Sequence, residues 1–85
     1  MKIHFAKQAE SSYRKLPLKI QNKVDKQFAL LLANYRHPSL RARKMGGTGH
    51  YEARIDRRYR FTFIVEEQDI YILTVGPHDE GLGKN

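Results

Sequence analysis

The alternation of apolar and polar positions is sharpest between residues 51 and 76, YEARIDRRYRFTFIVEEQDIYILTVG. Three runs rich in Tyr, Ile, Phe, Val and Thr are separated by Asp56-Arg57-Arg58 and Glu67-Gln68-Asp69. That pattern predicts a three-stranded antiparallel meander. Side chains alternate faces along a strand, so Tyr51, Ala53 and Ile55 share one side and Glu52, Arg54 and Asp56 the other. In the second run Tyr59, Phe61, Phe63 and Val65 oppose Arg60, Thr62, Ile64 and Glu66. The apolar face needs a cover, and the opposite face carries arginines that a merely structural sheet could do without.

The cover lies upstream. Lys2 to Phe5 alternates like a short strand, and Phe5, Ala9, Tyr13 and Leu16 then fall four, four and three apart, which predicts a helix from Ala6 or Lys7 to Lys15. Pro17 cannot continue that helix but suits the first turn of the next. From Leu18 to about Tyr35 an amphipathic stripe runs through Ile20, Val24, Phe28, Leu31, Leu32 and Tyr35. The expectation is a single α+β domain over residues 1–85, in the order β-α-α-β-β-β, with an αα-hairpin packed on a small antiparallel sheet. His37-Pro38 marks the exit from the second helix. Ser39 to Gly49 then forms a connection, basic first and glycine-rich last. Gly46-Gly47-Thr48-Gly49 lacks the Lys-Ser/Thr of a phosphate loop and reads as a flexible entry to the meander.

Composition narrows the function classes. With no cysteine, neither a disulfide framework nor a cysteine metal site can form, and His4, His37, His50 and His78 show no ligand spacing. No metal or other cofactor is expected. The N-terminal residues contain no apolar h-region, and no stretch reaches membrane-span length, so the expectation is a cytoplasmic protein with no membrane partner. The net charge of +7 divides unevenly: +5 over residues 1–35, +6 over 36–60 and −4 over 61–85. Seven of the eight basic residues in the middle block are arginines, whose planar fork suits bidentate phosphate contacts. A polyanionic partner follows, nucleic acid first and an acidic protein segment second.

Arg54 and Arg60 face away from the apolar side on strands joined by a tight turn, so the two can lie about 5 Å apart. Two cations so close are tolerable if Glu52 or Asp56 neutralises them, or if an anion binds between them. His78 follows the last strand, and histidine as a residue type can serve as acid or base near neutral pH. Such a group suits metal-free RNA cleavage. A base takes the 2′ proton, a cation stabilises the phosphorane charge, and an acid protonates the leaving 5′-oxygen.

Taken together, the opening strand with FAKQAESSYRKLP, HPSLRARKMGGTG, HYEARIDRRYRFTFIV and YILTVGPHD resemble the RelE/ParE superfamily of type II toxin–antitoxin toxins. The resemblance implies two helices on a small sheet, cleavage of mRNA on the ribosome or free of it, and a cognate antitoxin that wraps the toxin with an extended, often acidic segment. By position, Arg60 matches the family's catalytic arginine and Arg54 a basic catalytic residue. Glu52 departs from the basic residue that RelE-type members place there. His78 fits the YafQ-like branch, whose histidine acts in acid–base catalysis, and no tyrosine follows Tyr71 to serve the RelE form. The candidate catalytic set is therefore His78, Arg60 and Arg54, with Glu52 and His50 as candidates for the remaining proton transfer. Arg36, Arg41, Arg43, Lys44 and Arg58 are candidate RNA contacts. ParE-like inhibition of DNA gyrase, or RNA binding without turnover, would use the same fold.

Overall fold

In the computed structural model, which describes residues 2–77, strand β1 (Ile3–Phe5) leads into helices α1 (Lys7–Arg14) and α2 (Leu18–Ala33). A 3₁₀ turn at Pro38–Leu40 follows, then strands β2 (Arg43–Lys44), β3 (Tyr51–Arg54), β4 (Tyr59–Glu66) and β5 (Asp69–Pro77). Pro17 separates the helices as expected, its carbonyl accepting the first amides of α2 from Ile20 and Gln21. Gln21 reaches back to donate Nε2 to the Tyr13 carbonyl at 2.9 Å, satisfying an end of α1 that has no further turn. The two helices are thus stitched into a hairpin.

The stripe on α2 buries Val24, Phe28 and Leu31. Leu32, which the spacing also assigns to it, is 43% exposed, because it sits about 100° around the helix from Leu31. The helix ends two residues earlier than expected, where Asn34 turns extended (φ −167°, ψ 102°).

The sheet order is β1-β5-β4-β3-β2. Strands β3, β4 and β5 form the expected meander. Two additions follow from unpaired edges, which present free backbone donors and acceptors. Strand β2, drawn from the basic connection, pairs with β3 through Arg43↔Glu52 and Lys44↔Tyr51. Gly47 (φ 74°) and Gly49 (φ 78°) take left-handed conformations in the turn between them, so the stretch read as a loose entry closes a hairpin. At the other edge β1 runs parallel to β5, with Ile3↔Ile70 and Phe5↔Ile72. The sheet is therefore mixed rather than antiparallel throughout.

A bulge opposite the Thr62/Phe63 step leaves Leu73 as an extra residue, since Thr62 pairs with Thr74 and Phe63 with Ile72. The slip reverses the parity of β5, so Ile70, Ile72 and Val75 all reach the core beneath α2. Phe61 and Phe63 join them, and Phe28 meets Phe61 edge-on at 5.0 Å between centroids. None of the described helices is long and apolar enough to cross a membrane.

Candidate active site

The polar face of the sheet is built by three strands whose register places specific side chains side by side. Arg54 pairs directly with Arg60, and Glu52 with Thr62. Thr62 in turn faces Thr74 on β5, their hydroxyls 2.6 Å apart. The pairing of Arg54 with Arg60 is the juxtaposition expected from strand parity.

The turn between β3 and β4 is shaped by Asp56. Its Oδ1 accepts the amides of Arg58 (2.8 Å) and Tyr59 (2.9 Å), and its Oδ2 accepts from Lys23 of α2 at 3.1 Å. Burial alone would raise the Asp56 carboxyl, but the Arg58 amide, then Lys23 and the Tyr59 amide, outweigh it and hold the group below the usual carboxylate range. Arg60 donates Nη1 to the carbonyls of Asp56 and Tyr59, which fixes the guanidinium over this turn. Gln27 of α2 donates to the Arg54 carbonyl at 2.8 Å, holding the end of β3 from the helix side.

Glu52 lies between these groups. It is 4% exposed although it is on the sheet face opposite the core. Its Oε1 accepts from Arg43 at 3.3 Å, whereas Oε2 is buried with no hydrogen-bond partner among the described residues. An unpaired buried carboxylate oxygen is costly and calls for an explanation.

Two cavities meet at Glu52 and Arg60. One, of about 180 Å³, is walled by the arginines at 41, 43, 54 and 60. Arg41 enters it from a left-handed backbone (φ 48°) at the end of the 3₁₀ turn. The other cavity, of about 280 Å³, lies between α1 and the sheet, lined by Gln8, Ser12, Thr62 and Thr74. It exists because β1 pairs only as far as Ile72, leaving α1 to wall the remaining edge of β5, where Gln8 donates to the Leu73 carbonyl at 3.2 Å.

Other sequence candidates stand apart. His50 sits in the β2–β3 hairpin loop, its amide bound to Thr48 Oγ1, and lines neither cavity. Arg36 stacks over the Tyr35 ring at 5.7 Å beyond the end of α2. Arg58 is exposed beside Lys23 and Arg57, and Lys44 is exposed on the edge strand. His78 lies outside the described residues. Gln8 and Ser12 were not apparent from sequence. Their four-residue spacing on α1 is the only signal, and it flanks the stripe that defined the helix.

Over residues 3–82 the chain matches the model of the ParE toxin of type II toxin–antitoxin systems, parDE. It belongs to that family. The RelE/ParE resemblance is thereby established for a type II toxin, with the two-helices-on-a-sheet architecture that the fold displays. No curated protein sequence matches. Among solved structures, the YoeB/ParE toxin from Agrobacterium tumefaciens superposes with a TM-score of 0.81 at 15% identity, covering 92% of this chain and 99% of that one. YafQ from E. coli strain BL21(DE3) gives 0.79 at 13% identity, covering 95% and 97%. The toxin–antitoxin complex of YoeB and YefM from Staphylococcus aureus gives 0.76 at 23% identity, covering 89% and 94%. At these identities the likeness establishes the shared fold.

Proposed function

We propose that this toxin is a metal-independent endoribonuclease that cuts mRNA on the ribosome and so stops translation. The observation that supports it most is Oε2 of Glu52, a buried carboxylate oxygen with no hydrogen-bond partner among the described residues, beside a four-arginine cavity. In this reading a phosphate occupies the arginine side, bound by Arg54 and Arg60. Glu52 takes the proton from the 2′-hydroxyl, and the 2′-oxygen attacks the adjacent phosphorus. Arg60 stabilises the charge that gathers on the non-bridging oxygens. The bond to the 5′-oxygen breaks as that oxygen gains a proton, assigned to His78 through the resemblance, giving a 2′,3′-cyclic phosphate and a free 5′-hydroxyl. Glu52 is preferred to His50 because it lines both cavities and His50 lines neither.

Purified protein added to translating ribosomes is expected to leave new mRNA ends. Arg60→Ala and Glu52→Gln should each reduce cleavage about a hundredfold or more. Parental rates from both variants, with His78→Ala also unaffected, would end the assignment.

Solved neighbours include complexes of YafQ with DinJ and of RelE with RelB. This toxin is proposed likewise to be held by an antitoxin, whose acidic segment would neutralise the +6 block of residues 36–60. The match to a family model named for ParE favours a second reading, in which the target is DNA gyrase. Following nascent protein and DNA after induction separates them: translation stops first if the nuclease reading holds, replication first if gyrase is the target.

A further inference from the structure

The two cavities differ in chemistry in a way that a nuclease site alone does not require. On one side of Glu52 stand four guanidinium groups. On the other, beyond the shared Arg60, the cavity is lined among the described residues by the uncharged side chains of Gln8, Ser12, Thr62 and Thr74, with Val75 and Gly76. A nucleotide divides in the same way, into a charged phosphate and an uncharged base with apolar faces and a hydrogen-bonding edge. Along one nucleotide the order is base, ribose 2′-hydroxyl, 3′-phosphate. Across this face the order is uncharged cavity, Glu52, arginine cavity.

We propose that the cavity between α1 and the sheet holds the base of the nucleotide on the 5′ side of the cut, the one that carries the attacking hydroxyl, and that Gln8 and Ser12 read that base. This rests on the nuclease reading for the identity of the ligand. It adds a strand polarity and two specificity residues on a helix that takes no part in the chemistry. Gln8 has its amide nitrogen committed to the Leu73 carbonyl, which leaves its Oε1 as the group that can accept from a base. Ser12, one turn further along α1, is half-buried and offers a hydroxyl that can donate or accept. Thr62 and Thr74 bond each other and close the floor. RNA bases extruded from a stack are commonly read in this manner on their polar edges.

The test is a titration of the intact protein with adenosine 3′-monophosphate, adenosine 5′-monophosphate and inorganic phosphate, followed by NMR. The 3′-monophosphate is expected to bind more tightly than the other two. Ser12→Leu, which narrows the cavity, should weaken 3′-monophosphate binding about tenfold and leave inorganic phosphate within twofold. Gln8→Trp, at an exposed helix position, should act in the same direction and stands in if Ser12→Leu does not fold. Equal affinity for the two nucleotides, or 3′-monophosphate binding unmoved by either cavity variant, overturns the proposal. With mRNA of randomised sequence on translating ribosomes, the variants should change base preference at the nucleotide 5′ of the cut and not at the one 3′ of it. A protein that cleaves no RNA yet shows the 3′-monophosphate pattern would refute the nuclease reading while the subsite stands.

Discussion

Glu52 is a buried carboxylate where the two cavities meet. Among the described residues one of its carboxylate oxygens has no hydrogen-bond partner, and its partner Arg43 has a side chain 68% exposed that can return to water at little penalty. A residue kept in that state for packing would be better replaced by a neutral isostere. Glu52→Gln is therefore expected to hold or raise the melting temperature while abolishing most cleavage, the trade-off found where a site is built at the expense of stability. A melting temperature several degrees lower, with cleavage intact, would make Glu52 structural. Asp56 shows the opposite logic: each carboxylate oxygen is bonded. Its folded-state pKa is depressed, so its stabilisation is present above the unfolded value near 4 and disappears as pH falls through the folded value. Asp69, lowered chiefly by its hydrogen bond from His4, acts in the same sense on an exposed surface. Unfolding followed between pH 6 and 2 should show acid loss of stability that is shallower in Asp56→Asn than in the parent. Equal slopes would mean that the turn does not depend on the ionised carboxylate.

At the scale of elements, what was legible in the sequence was periodicity, and what was not was edge pairing. The spacing of Val24, Phe28 and Leu31 and the alternation of Phe61 and Phe63 located the core, because each pattern is local to one element. The same alternation put Arg54 beside Arg60. The parallel pairing of β1 with β5 joins residues nearly seventy positions apart, and no local signal encodes it. The bulge at Leu73 was equally silent, since YILTV reads as an unbroken strand. These two features are what open the cavity beside α1, so the arginine half of the site could be read from sequence and the uncharged half could not. Phe28 is where the helical layer meets the sheet, touching both Phe5 and Phe61. Phe28→Ala should cost about 3–5 kcal/mol, a large part of what an 85-residue domain has to lose, and denaturant melts should show it as a lower midpoint at similar slope. A loss below about 1 kcal/mol would mean that α2 can settle into the gap.

For the molecule as a whole, the charge has a direction. The β4–β5 turn carries Glu66, Glu67 and Asp69, while Arg54, Arg57, Arg58 and Arg60 cluster at the opposite end of β4, about 20 Å away at the rise of an extended strand. A polyanion approaching this molecule is steered to the arginine end and repelled from the other. That arrangement fixes how RNA affinity must respond to salt. Each phosphate neutralised on a single strand contributes about −0.7 to the slope of log K against log salt, so four arginines that each meet a separate phosphate along the strand give about −3. Arg41 and Arg43 line the same cavity as Arg54 and Arg60, and neither is assigned a part in the chemistry. The double variant Arg41→Ala with Arg43→Ala should therefore bring the slope to about half its parental value, whereas Ser12→Leu should weaken binding with the slope unchanged. Fluorescence anisotropy of a short single-stranded RNA between 50 and 300 mM salt, ranges chosen where such slopes are steep, decides between them. A parental slope near zero would show that the arginine cavity does not meet the phosphate chain, and a slope that Ser12→Leu alters as much as the arginine pair would show that the two halves of the groove are not chemically distinct.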